Sequence, residues 1–258
     1  RLRTSNPLTL FDSSHRFKDN NLWSSLTANG GSVAFNLTQG LMDLNVTNAA
    51  GASALRETTK VFSYQPGKSL LVMNTFTMAA SAIGLVQRVG YFGNENGIYF
   101  ELNDDVMGFV ERSIVTGTMV NAVVPRSSWN GDKLDGTGPS GITLDITKAQ
   151  IQWMDIEWLG VGSVRIGFVI NGKFIVCHTF HHANLIASTY VTTASLPIRS
   201  IFSRIPPNRL LEYSVKEGGL TTGLMTGVIT AASPFALVRP FSVVISLLVD
   251  SEGFIPLS

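Results

Sequence analysis

Charge is scarce in this chain. Lys and Arg number 19, Asp and Glu 18, together 14% of 258 residues, and the formal net charge is +1. So even a balance gives no bulk attraction to nucleic acid, and no basic stripe with interleaved aromatics is present. Cysteine is scarcer still. Cys177 stands alone, which excludes an intramolecular disulfide and fits folding in a reducing cytoplasm. A P-loop, a Ser-His-Asp order, an internal repeat and a heptad are all missing. Membrane insertion is not expected: Leu220 to Val238 is uncharged, but its Thr, Gly and Ser residues and Pro234 argue against a span. The N-terminal RLRTSNPLTLF lacks the apolar core of roughly 7–15 residues that a secretory signal needs.

What the chain has in quantity is the grammar of β-structure. Hydrophobic residues make up 45%, and 24 glycines with 10 prolines break them into short runs. The plainest stretch is Trp153 to Phe180, where two apolar runs meet at Asn171-Gly172. Asn-Gly satisfies a type I′ turn, which needs positive φ at both central residues, so a two-residue hairpin is predicted. That turn sets the register. Ile170 faces Lys173, Phe168 faces Ile175, Ile166 faces Cys177 and Val164 faces Thr179 on one apolar face, assigned to a core. The other face carries Val169 opposite Phe174, Gly167 opposite Val176 and Arg165 opposite His178. An apolar centre with a charged rim marks it as a contact surface, for a partner or for the chain's own loops.

Short strand-like runs recur about every ten residues from Val33 onward, which predicts an antiparallel β-sandwich or barrel in 32–258. Residues 1–31 are polar, with Asn20-Asn21 and Gly30-Gly31 as turn signals, and are expected to form an irregular N-terminal arm or linker. Ile142 to Ile151 is expected to hold a short helical turn at 147–150. The glycine-rich loop 127–141 is too long for a simple connection. Within it Trp129 could stack on a pyranose ring while Asn130 and Asp132 accept hydroxyls, or Trp129 could simply anchor a rigid loop. The spacing of Asp132 and Asp135 does not match an EF-hand, and His178, His181 and His182 read as a strand end entering a polar loop. No metal or other cofactor is assigned.

Three blocks carry a resemblance. They are Gly90 to Glu101 (GYFGNENGIYFE), Ser128 to Asp145 (SWNGDKLDGTGPSGITLD) and Trp158 to Val169 (WLGVGSVRIGFV). Together they resemble virion structural proteins of tailed, often marine, bacteriophages with a concanavalin-like jelly-roll domain, over about residues 60–200. The resemblance implies a non-catalytic virion component: capsid decoration, neck, fibre or tail appendage, assembled in the host cytoplasm. Its implied partners are other virion proteins and further copies of itself, as a trimer or higher oligomer. The alternative is a carbohydrate-binding module that recognises a host surface glycan. Hydrolysis is the least favoured reading. One large group of concanavalin-like hydrolases carries Glu-x-Asp-x-x-Glu on a strand, whereas here Asp155-Ile-Glu157-Trp-Leu-Gly160 lacks the first Glu and ends on Gly. The candidate contact residues for a partner or glycan are therefore Trp129, Asn130, Asp132, Arg165, Val169, Phe174, Val176 and His178.

Overall fold

A computed structural model describes residues 8–14, 21–205 and 236–248. Two antiparallel sheets face each other across one aromatic-rich core, with strands numbered along the chain. The larger sheet runs in the order β14 (Lys173–Phe180), β13 (Val164–Ile170), β12 (Gln150–Ile156), β7 (Ser69–Thr77), β17 (Ala236–Leu248), β4 (Leu41–Val46), β3 (Ser32–Asn36), and β1 (Leu8–Ser14) also pairs with β17. The smaller sheet runs β11 (Val120–Pro125), β10 (Val106–Ser113), β9 (Gly97–Asn103), β8 (Leu85–Phe92), β16 (Ile198–Arg204), β5 (Ser53–Thr58), β2 (Trp23–Ala28). A two-stranded ribbon joins β6 (Phe62–Ser63) to β15 (Ser195–Leu196). This is the antiparallel β-sandwich that the strand spacing allows, of the jelly-roll type that the resemblance implies.

The core follows from period-two alternation. Strand β12 sends Met154 and Ile156 inward, and β13 sends Val164, Ile166 and Phe168 inward. Phe168 is fully buried, with its ring 5.5 Å from Phe100 in an edge-to-face contact, and Phe100 in turn meets Phe76 and Phe109. Such pairs add to simple area burial.

Two expectations change, and one strand takes a place that no expectation covered. The segment 1–31 is not simply an irregular arm. It supplies β1 and β2, and Trp23 at the start of β2 is buried, with its ring against Phe11. The 147–150 stretch is a turn rather than a helix, closed by Lys148 N–H donating to the Asp145 carbonyl at 3.1 Å. Finally, β17 crosses the middle of the larger sheet, between β7 and β4 and then between β7 and β1. Its register slips between Pro240 and Ser242, where a proline without an N–H cannot hold the ladder. The further strand candidates at 209–215 and 227–232 lie outside the described residues.

Candidate functional site

The hairpin that joins β13 to β14 forms as its turn chemistry dictates. Asn171 and Gly172 have φ of 52° and 75°, the left-handed pair a type I′ turn needs. The predicted register holds from Ile170↔Lys173 to Gly167↔Val176 and then breaks. A bulge at Cys177 shifts the rest by one residue, so Ile166 pairs with His178, Arg165 with Thr179 and Val164 with Phe180.

The cause lies in the loop after β11. The Gly131 N–H donates to the Cys177 carbonyl and the Asp132 N–H to the Val176 carbonyl, both at 2.9 Å. Asn130 pairs with Thr179 through its side-chain amide, at 2.8 Å in each direction. The loop thus caps the edge of the larger sheet, the exposed rim that sandwiches must cover.

That role accounts for four of the candidate contact residues. Trp129 is not an exposed stacking platform: its ring is buried, stacked on Phe109 at 4.4 Å, with Nε1 donating to the Val124 carbonyl. Asn130 is committed to the strand edge. The Asp132 carboxylate accepts N–H bonds from Leu134 at 2.9 Å and Ser140 at 2.7 Å. Burial pushes its pKa up, but these bonds outweigh burial and hold it below the ordinary value. His178 is turned away from Arg165 and buried, its Nδ1 accepting the Asn130 N–H at 3.3 Å. Burial, then the neighbouring His181, push its pKa down to about 4.

The other four candidates do share one surface, the outer face of β12–β14. There Trp153 lies across the position of Gly167, the bulge neighbour whose added Cβ would sit 1.9 Å from the Ile175 carbonyl oxygen. The indole Nε1 donates to that same carbonyl at 3.3 Å, and Phe174 meets the ring edge-on at 5.6 Å. Val169 and Val176 flank Phe174 on the same face, all three half-buried, and Ile151 stands exposed one register step from Val169. Next along the strands, Asp155 and Arg165 form an ion pair in which the carboxylate is buried and the guanidinium partly exposed. Beyond that pair opens a recess of about 340 Å³ lined by Glu157, Ser163, Arg165, Thr179 and His181. Sequence reasoning missed Thr179 because the bulge, not the turn, places it here.

The three histidines do not converge. His181 is exposed, and His182 is buried between Gly162 and Glu111, with Nδ1 2.5 Å from the Gly162 carbonyl and Nε2 2.7 Å from Glu111 Oε2. Its ring stacks on Tyr190 at 4.0 Å. Among the described residues no group of three or more His, Cys, Asp or Glu side chains could hold a metal.

The outer face of the smaller sheet is covered by arginine side chains. Arg112 and Arg199 lie over Phe92, and Arg88 and Arg112 over Tyr99. Glu101 and Glu57 pair with Arg88 and Arg199, which seals that surface with the protein's own side chains.

No family model matches the sequence, and no curated protein does. Solved structures do match in fold. A structure of endo-acting O-glycanases that initiate mucin breakdown, from human gut microbiota, superposes with a TM-score of 0.58 at 15% identity, covering 93% of this chain and 100% of its own. A Bacteroides ovatus mixed-linkage-glucan GH16 protein in complex with a G4G4G3G product gives 0.56 at 12%, covering 92% and 99%. The Emp47p carbohydrate recognition domain gives 0.51 at 10%, covering 93% and 95%. At these identities the likeness is one of fold: all share the concanavalin-like sandwich.

Proposed function

We propose that the chain is a non-catalytic carbohydrate-binding β-sandwich whose sugar site is the outer face of β12–β14. One observation carries this reading. A half-buried apolar patch of Phe174, Val169 and Val176, backed by the buried Trp153 ring, leads along the strands towards a recess lined by Glu157, Ser163, Arg165, Thr179 and His181. Sugars have apolar C–H faces and polar hydroxyl edges, and a site with an aromatic floor beside a few fixed polar groups suits both. About 340 Å³ lies at the lower end of ordinary ligand sites, enough for one or two sugar rings. The names of the similar structures, which speak of glycanases, a glucan product and a carbohydrate recognition domain, support the same class.

Catalysis is not part of this reading. A sugar hydrolase needs one carboxyl to act as acid and a second to act as base or nucleophile. Asp155 is buried against Arg165, and Gly160 stands where a last carboxylate would be wanted. Binding to a glycan microarray, lost in Arg165→Ala and in Phe174→Ala, is the expected outcome. Hydrolysis of a bound glycan, abolished by Glu157→Gln, would replace this reading with an enzymatic one.

The blocks at 90–101, 128–145 and 158–169 suggest a setting for such a binder: a tailed-phage virion, as a fibre, neck, decoration or tail component in an oligomer. Quantitative mass spectrometry of purified particles tests this. A fixed copy number per particle supports the setting, and absence from the particles removes it.

A further inference from the structure

Two loops rim the recess, and each exposes aliphatic side chains to solvent. The turn 157–163 exposes Leu159 and Val161, at 54% and 37% of their full areas. The loop that follows β14 exposes Leu185 and Ile186, at 71% and 39%. The loops are fastened together. Tyr190 N–H donates to the Gly160 carbonyl at 3.0 Å, and His182 meets the Gly162 carbonyl. Leu185 and Ile186 donate their N–H groups to the His182 carbonyl, so they sit one tight turn from that joint. Each loop also supplies the recess: Glu157 and Ser163 come from the ends of the first, His181 from the start of the second.

Leu159 is the telling residue. Its φ is 39°, in the left-handed region where a branched side chain is strained and Asn or Gly is at ease. The side chain buries little in exchange for that strain. The turn itself is closed by Gly162 N–H donating to the Trp158 carbonyl at 2.7 Å, yet Gly or Asn would serve that backbone without presenting an exposed leucine. The two loops carry no Lys or Arg, so nothing in them draws anionic headgroups or acidic peptides.

Resting on the carbohydrate-binding reading above, we infer that the ligand is a neutral amphipathic glycoconjugate. Its sugar occupies the recess, and an alkyl or acyl aglycone lies across Leu159, Val161, Leu185 and Ile186. The continuity of rim and recess through the same two loops selects this occupant over an unrelated protein.

The test is a titration calorimetry panel of methyl and octyl glycosides of glucose, galactose, mannose and N-acetylglucosamine, each below its micelle concentration. At least one octyl glycoside should bind about tenfold tighter than its methyl counterpart, the gain from burying about two methylenes. The double variant Leu159→Asn/Leu185→Ser should lose that gain while binding the methyl glycoside as before. Equal affinities within every pair, or a double variant that keeps the octyl preference, would overturn the inference and leave the sugar site standing. If neither glycosides nor array glycans bind, the carbohydrate reading itself fails. Sedimentation velocity supplies the remaining outcome: a wild-type dimer that the double variant abolishes would assign the rim to a second copy and overturn the inference.

Discussion

Asn130 and Thr179 hold each other as two strand residues would. The Asn130 side-chain amide donates to the Thr179 carbonyl and its oxygen accepts the Thr179 N–H, both at 2.8 Å. With Trp129 buried on Phe109, this contact clamps the loop onto the sheet edge. Asn130→Ala should therefore cost about 1–2 kcal/mol, and Trp129→Ala about 3–5 kcal/mol, in urea unfolding. Neither should weaken glycan binding once the variant is folded. A Trp129→Ala protein of unchanged stability that had lost its sugar would return Trp129 to the binding site.

The two buried histidines set opposing pH limbs. Burial alone pushes the His182 pKa down, but its bonds to Glu111 and to the Gly162 carbonyl, with the Glu111 charge, leave it above 6.5. A raised histidine pKa stabilises the fold fully below 6.5 and ceases to do so as pH rises through the folded value. His178, pushed down to about 4, behaves oppositely: its contribution is present above 6.5 and lost as pH falls through about 4. The melting midpoint should therefore peak near 6.5 and decline on the alkaline side, and His182→Gln should remove that decline. An alkaline decline that persists in His182→Gln would show that another group drives it.

The core contains a facing pair of amides, one on each of two neighbouring strands. Asn74 and Gln152 are register partners on β7 and β12, exposed by 1% and 0%, and among the described residues neither amide has a hydrogen-bond partner. Replacing a stranded buried amide by an apolar group of similar length removes a desolvation cost. Gln152→Met should raise stability by about 1–2 kcal/mol in chemical denaturation. A loss of that size instead would show that the amides are satisfied.

The hairpin was legible because its information is local. Asn171-Gly172 fixes the turn, and alternation then places Phe168 inside and Phe174 outside. The bulge at Cys177 was not legible, because it answers to backbone groups of Gly131 and Asp132, far away in sequence. The same distance hid the His182–Glu111 contact, 71 residues apart, and the place of β17 at the centre of the larger sheet. Strand β2 escaped notice for another reason. It is an edge strand with only Trp23 buried, so its sequence carries no alternation to read. Trp129 was ambiguous in principle, since the same ring chemistry suits a core, an interface or a sugar.

The proposed sugar site lies on β12–β14 between Phe174 and Thr179. The most direct measurement is a chemical-shift map of isotopically labelled protein titrated with an array-positive oligosaccharide. Shifts are expected at the Trp153 indole N–H and the backbone amides of Arg165, Phe174, Thr179 and His181, with Trp129 and Asp132 unmoved. Shifts confined to the 127–141 loop, or to the arginine-covered face of the smaller sheet, would contradict it.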